Sequence, residues 1–174
     1  MDKKGMNACL VKIAKGDNQA FSKLYAETKK GVYAFLYSYF QNVWDTECAM
    51  QSVYVKIKEK AHLYKDGTDA RAWLLQVAKN LAINELRKKN REMAAGKETL
   101  ETLGGKTEQY SGEVFEALNK ALDDEERQIV ILHVLWGYKH KEIALFLDSP
   151  LGTITSKYKR SIKKLKDYLR RGEE

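Results

Sequence analysis

Residues 96–112, GKETLETLGGKTEQYSG, set the limits on how the rest of this chain folds. The stretch holds Gly96, Gly104, Gly105 and Gly112, with Leu100, Leu103 and Tyr110 as its only large apolar side chains. That much apolar surface does not offset the conformational entropy of ordering the segment. It reads as a flexible acidic tether, so the 174 residues divide into two small lobes rather than one domain. The expected boundaries are 1–92 for the first lobe, 93–112 for the linker and 113–174 for the second.

The net charge of +7 is a sum of opposites. Residues 1–64 carry 10 basic and 6 acidic side chains, and residues 65–91 carry 7 and 3. Residues 92–126 invert the balance with 3 against 10, and 127–174 restore it with 11 against 5. Each lobe therefore has its own positive region, which suits a polyanion or an acidic partner surface. No apolar run reaches the roughly 18 residues of a membrane span, and the opening MDKKGMNACLVKIAKG lacks a signal-peptide core. A cytoplasmic protein with no membrane insertion is expected. Cys9 and Cys48, with His62, His133 and His140, stand without ligand spacing, so no disulfide framework, metal or cofactor is expected.

Apolar spacing is helical almost throughout, and the fold class is all-α. In the first lobe Asp17 reads as the N-cap of a helix carrying Phe21, Leu24 and Tyr25 and continuing to Phe40. Asp45 reads as the start of the next helix, with Met50, Val53, Tyr54 and Ile57 inward. The loop YKDGTDAR (64–71) carries an Asp-Gly turn signal, and Asp69 opens a long helix to about Arg91. One side of that helix is apolar: Trp73, Leu74, Val77, Ala78, Leu81 and Ala82. The other side is a stripe of Gln76, Asn80, Asn84, Arg87 and Arg91. Amides followed by guanidinium groups suit bases and phosphates, while the same pattern also describes a solvated face whose cations favour the helix C-terminus.

The second lobe reads as four helices, over about 112–121, 123–135, 139–147 and 152–171. DSPL (148–151) is a short turn whose proline ends the third. The last helix places Ile154, Tyr158, Ile162, Leu165 and Leu169 inward and Ser156, Lys157, Arg160, Lys163 and Lys164 outward. This is the pattern of a helix-turn-helix, and equally of an αα-hairpin with a solubilising lysine face.

Three stretches together resemble the extracytoplasmic-function sigma factors of bacterial RNA polymerase, in the sigma-70 family. GDNQAFSKLY (16–25) is similar to that family's opening helix. DTECAMQSVYVKI (45–57) and WLLQVAKNLAINELRKKNR (73–91) resemble sigma region 2, and GYKHKEIALFLDSPLGTITSKYKRSIKKLKDYL (137–169) resembles region 4. The resemblance implies a subunit without catalysis of its own that binds core RNA polymerase and starts transcription at particular promoters. Asp45, Glu47, Gln51 and Tyr54 would meet the clamp helices of the largest polymerase subunit. Lys65, Asp66, Gly67, Asn80, Asn84, Arg87, Lys88 and Arg91 would open the minus-ten element and trap a flipped base; Lys89 would add a phosphate contact, and Trp73 is either a wall of that pocket or core. Thr153, Thr155, Ser156, Lys157, Lys159, Arg160 and Lys163 would read the minus-thirty-five element in the major groove, with a further contact to the flap of the second-largest subunit. An anti-sigma protein hiding both DNA faces is a family-level expectation.

The sequence also departs from the family. Cys48 and Ser52 replace two usual acids, so clamp binding leans on Tyr54 and neighbouring apolar groups. Lys139 replaces a usual capping serine, and Thr155 a usual basic residue. The rival from another functional class is a stand-alone helix-turn-helix regulator that binds duplex DNA by itself, usually as a dimer. A nuclease-like enzyme is disfavoured, because Asp45 and Glu47, two residues apart, point to different sides of a helix.

Overall fold

The computed structural model describes residues 1–96 and 113–171. All but the first four positions of the expected 93–112 linker lie outside the described residues. The chain forms two compact units, Met1–Gly105 and Lys106–Glu174, and among the described residues every regular element is helical.

The first unit is built from α1 (Lys3–Ile13), α2 (Asn18–Phe40), α3 (Val43–Lys60), a single 3-10 turn (Ala61–Leu63) and α4 (Ala70–Ala94). α1 precedes Asp17, the first helix start expected from the sequence. Met6, Cys9, Leu10 and Ile13 are all buried, the i, i+3, i+4, i+7 stripe of a core-facing helix. Each helix begins on a side-chain oxygen: Asp2 accepts from the Gly5 N–H, Asp17 from Gln19 and Ala20, and Asp69 from Arg71 and Ala72. Such a cap contributes about 1 kcal/mol. For α3 the expected start at Asp45 is displaced. Asn42 is the cap, its Oδ1 accepting from the Asp45 N–H at 2.8 Å, and Asp45 lies in the first turn, where the helix dipole favours a carboxylate. α2 closes with Gln41 in the left-handed conformation at φ 56°. Leu10, Leu24, Val32, Phe35, Val53 and Leu74 meet in the core with essentially no exposure.

The second unit contains α5 (Glu113–Ala121), α6 (Asp124–Val134), α7 (His140–Leu147) and α8 (Leu151–Arg171). Leu118, Leu122 and Val130 pack with Tyr158 and Leu165 of α8. Asp123 and Glu126 cap α6 reciprocally, at 2.8 and 3.2 Å. Between α7 and α8 the stop comes from Asp148, left-handed at φ 52°, rather than from the proline. Pro150 instead introduces α8: its carbonyl accepts the Ile154 N–H at 3.1 Å, and its fixed φ suits a helix start. At the head of α7, Lys139 has no side-chain acceptor, and only the return half of a cap exists, its N–H donating to Glu142 Oε2 at 2.7 Å. Ser161 is fully buried, its hydroxyl donating to the Lys157 carbonyl at 2.8 Å; Lys157, expected outward, is half-buried.

Two polar arrangements hold this unit. Arg127, 4% exposed, donates from Nε to the Leu118 carbonyl at 3.1 Å and from Nη2 to those of Asn119 and Leu122 at 3.2 and 3.0 Å. These carbonyls at the end of α5 have no helical partner of their own. His133 and His140 come together at 5.0 Å between ring centroids, with the Tyr158 ring 4.6 and 4.9 Å away. They join α6, α7 and α8. Since the Tyr138 carbonyl only accepts, His133 Nδ1 at 2.8 Å carries the proton. Burial, with the neighbouring His133, lowers the His140 pKa from its ordinary 6.5.

Arg127→Met is expected to destabilise the second unit by about 3 kcal/mol, because three buried carbonyls lose a charged donor. Urea unfolding followed at Trp136, with Trp44 and Trp73 changed to Phe, measures it. The His140 shift also has a defined sign. The unfolded chain protonates this ring more readily, so stability is full above 6.5 and declines as pH falls from there toward the lower folded value. His140→Gln should flatten that decline in thermal unfolding between pH 7 and pH 5.

Candidate nucleic-acid interface

On α4 the polar stripe is real and solvent-facing: Gln76, Asn80, Asn84, Arg87 and Arg91 are all exposed, as is Lys88. Gln76 Nε2 donates to Asn80 Oδ1 at 2.8 Å, which orients both amides before any ligand arrives. The apolar side is equally distinct, with Leu74, Leu75, Ala78, Leu81 and Ala82 buried. Trp73 is half-buried, its ring edge-on to Tyr64 at 5.7 Å.

The loop ahead of α4 is a tight turn over residues 65–68. Thr68 N–H donates to the Lys65 carbonyl at 3.2 Å, and Gly67 takes φ +79°. A type II turn requires that conformation at its third position, which is why glycine stands there. Lys65, Asp66 and Gly67 are exposed. The loop is held by Asn7, a residue of α1 that the sequence analysis does not single out. Its Oδ1 accepts from the Gly67 N–H at 3.0 Å and lies 2.6 Å from the Tyr64 hydroxyl, while its Nδ2 donates to Asp66 Oδ1 at 2.8 Å. Contacts across nearly sixty residues leave no periodic trace in a sequence.

The four side chains expected to meet the clamp lie at different depths. Gln51 is exposed, Glu47 and Asp45 are half-buried, and Tyr54 is 3% exposed. Thr28 gives its own proton to the Leu24 carbonyl at 2.6 Å, so the Tyr54 hydroxyl is the donor in their 2.7 Å bond. Asp45 Oδ2 takes Lys89 Nζ at 2.9 Å and Asn42 Nδ2 at 2.6 Å. Burial opposes ionisation of this carboxyl, but the Asn42 and Lys89 bonds outweigh it and hold its pKa below the ordinary 3.8. The outer face of α3 instead shows Trp44 and Val55, each 56% exposed, with Cys48, Gln51 and Ser52 between them. Trp44, Cys48 and Ser52 share a cleft with Glu85, Lys88 and Lys89 of α4.

On α8, Ser156, Lys159, Arg160 and Lys163 are exposed. Thr153 and Thr155 are half-buried, and the Thr155 hydroxyl lies 3.4 Å from His140 Nδ1. Lys157 is not free: its ammonium pairs with Glu125. Lys164 reaches both oxygens of buried Glu126, at 2.8 and 2.7 Å. Among the described residues no group of three metal-ligating side chains occurs, and no helix is long and apolar enough to cross a membrane.

Comparison with known proteins agrees with this arrangement. The sigma-70 region 2 family matches residues 24–92, and the sigma-70 region 4 family matches 113–165. The ECF RNA polymerase sigma factor SigX of Bacillus subtilis is 24% identical over 164 residues, covering 87% of this chain and 84% of its own. SigK of Mycobacterium tuberculosis is 26% identical over 175 residues, covering 94% and 93%. Among solved structures, the sigma factor RpoE of Bartonella quintana, bound to the anti-sigma factor NepR, superposes with a TM-score of 0.66. It is 23% identical and covers 86% of this chain and 96% of its own. CnrH, bound to the cytosolic domain of CnrY, gives 0.62 at 19% identity over 96% and 98%. Two helical units matched in order by regions 2 and 4, on a chain that aligns along nearly its whole length with such proteins, have one reading: the chain belongs to the sigma-70 family, as an extracytoplasmic-function sigma factor that directs promoter-specific transcription initiation by core RNA polymerase.

Proposed function

We propose that the first unit opens the minus-ten element with the 65–68 turn and the exposed stripe of α4, and that the second reads the minus-thirty-five element with the exposed face of α8. The observation that carries this is the α4 stripe, in which oriented amides give way to Arg87, Lys88 and Arg91 beside a turn of exposed polar groups. Amides and a carboxylate suit the edges of an unstacked base, and the cations suit the strand that carries it. On α8, Arg160 is the exposed guanidinium near the N-terminal half, where recognition helices touch base edges, and Lys159 and Lys163 flank it for phosphates. Lys157, neutralised by Glu125, is a weaker DNA contact than its sequence position implies.

Docking to core polymerase falls to the outer face of α3. With Cys48 and Ser52 in place of acids, that face offers Trp44 and Val55 as apolar anchors and Gln51 as a polar one. The second-unit contact to the flap falls to Leu145, which is 85% exposed. An anti-sigma partner of the kind bound by RpoE and CnrH would compete for these same apolar side chains. The protein acts in the cytoplasm with the polymerase and contributes binding energy rather than catalysis.

Purified protein, bacterial core polymerase and a pool of randomised promoters test the reading. Transcripts that require both proteins and share two spaced elements support it; duplex binding by the protein alone, with no retention of core, favours the stand-alone regulator. At fixed salt, Arg160→Ala should weaken holoenzyme binding to the enriched promoter about tenfold and Lys157→Ala less than about threefold, as measured by fluorescence anisotropy. Trp44→Ala should weaken core binding about tenfold, with little dependence on salt; equilibrium binding at about 50 and about 300 mM salt, weak and strong screening respectively, checks it.

A further inference from the structure

We infer that Asn7 is a positioning residue for base capture: α1, which lies ahead of the matched region 2, sets the conformation of the minus-ten turn through this one side chain. The inference rests on the proposed role of the 65–68 turn. Three groups of the turn and its approach converge on Asn7, namely the Gly67 N–H at 3.0 Å, the Tyr64 hydroxyl at 2.6 Å and Asp66 Oδ1 at 2.8 Å. The residue is half-buried. An amide is the side chain that meets this set: Oδ1 accepts from the Gly67 N–H and from the Tyr64 hydroxyl, whose one proton is shared with the Thr68 carbonyl at 2.9 Å, and Nδ2 donates. A second tie runs parallel to it. Lys3 Nζ, one turn earlier on α1, pairs at 2.8 Å with Asp69 Oδ2, the cap of α4. The loop is thus fixed to α1 at both ends.

This arrangement determines what the turn presents to DNA. The Gly67 N–H is engaged by Asn7 and is not offered to a base. Asp66 keeps one carboxylate oxygen on Asn7, and among the described residues its Oδ2 has no protein partner. The turn therefore offers an acceptor, aimed by Asn7, to a flipped base. At the edge position where cytosine N4 and adenine N6 carry amino groups, thymine and guanine carry carbonyl oxygens, so a lone acceptor there selects cytosine or adenine, the bases that are amino-bearing at that position. Asp66 is the reader and Asn7 positions it.

Donor and acceptor can be exchanged to test the assignment. Asn7→Ala, Asp66→Asn and the double swap Asn7→Asp with Asp66→Asn are each assembled with core polymerase. Promoter opening is followed by permanganate reactivity of unpaired thymines, and base preference by substituting each base at the captured position. Asn7→Ala should slow opening about tenfold and reduce the preference for an amino-bearing base by a similar factor, with core binding unchanged. The double swap rebuilds an Asn–Asp bond in reverse: the amide at position 66 donates to the carboxylate at position 7 and leaves its carbonyl oxygen as the free acceptor, so opening and the preference for an amino-bearing base should both recover relative to Asn7→Ala, whereas Asp66→Asn alone, its oxygen held by Asn7, turns a donor outward and loses that preference. Opening and base preference at wild-type levels in Asn7→Ala would overturn the inference. If that variant fails to fold by circular dichroism, a folded double swap that lacks wild-type opening or base preference, or an Asp66→Asn variant that keeps the wild-type preference, overturns it equally. Failure of the wild-type holoenzyme to open any promoter would instead reject the proposed function.

Discussion

Asp69 is the joint on which the first unit turns. One carboxylate oxygen accepts the Arg71 and Ala72 N–H groups and so begins α4, while the other pairs with Lys3 of α1 at 2.8 Å. A single side chain therefore ends the loop, starts the longest helix and attaches both to another helix. Burial works against its ionisation, yet the Lys3 bond, the Ala72 N–H and the Arg71 charge more than compensate, and its pKa is held below the ordinary 3.8. The stability this supplies is present above that value and is lost as pH falls through the lower folded one. α4 carries the whole polar stripe, so the direction in which the stripe points follows from how firmly its first turn is fixed.

The charges of this protein divide into those that hold it together and those that remain available. Lys3, Lys89, Lys157 and Lys164 each meet a carboxylate from a different helix. Most of these pairs are partly open to solvent, so each contributes modestly to stability. Their larger consequence is to fix side-chain positions and to withdraw cations from the surface field. Arg87, Lys88 and Arg91 on α4, and Lys159, Arg160 and Lys163 on α8, stay exposed. A polyanion meets these two clusters rather than the net charge of +7.

Such a division suits a subunit whose work is binding. Strand separation needs unpaired polar groups held ready beside a base, and holding them ready means that other polar groups must be satisfied within the protein. Asn7, Gln76 and Asp69 do this within the first unit. In the second, Arg127 closes the end of α5, while Glu126 and the His133–His140–Tyr158 cluster brace α8, leaving Lys159, Arg160 and Lys163 exposed.

Much of this was legible in the chain itself. Helical periodicity, the caps at Asp17 and Asp69, the Asp66-Gly67 turn and the α4 stripe all depend on neighbours within a few residues, and local rules describe such neighbours well. The resemblance to sigma regions 2 and 4 rested on the same local runs. Local rules failed where geometry was set from a distance or by competition between close alternatives. Asn42 rather than Asp45 caps α3 because both are good caps three residues apart. α1 was passed over because its short apolar stripe means little until α2 and α4 cover it. Spacing places Lys157 outward, but Glu125 of α6 lies within reach and takes its ammonium. Asn7 had no signal at all, since an asparagine on a helix acquires a role only when the fold brings a turn from about sixty residues away onto its amide. The sequence by itself determined which segments are helices and which faces are polar, because those follow from spacing along the chain. Only the tertiary structure decided which polar groups are already engaged, because a hydrogen bond depends on distance in space and not on order in the chain.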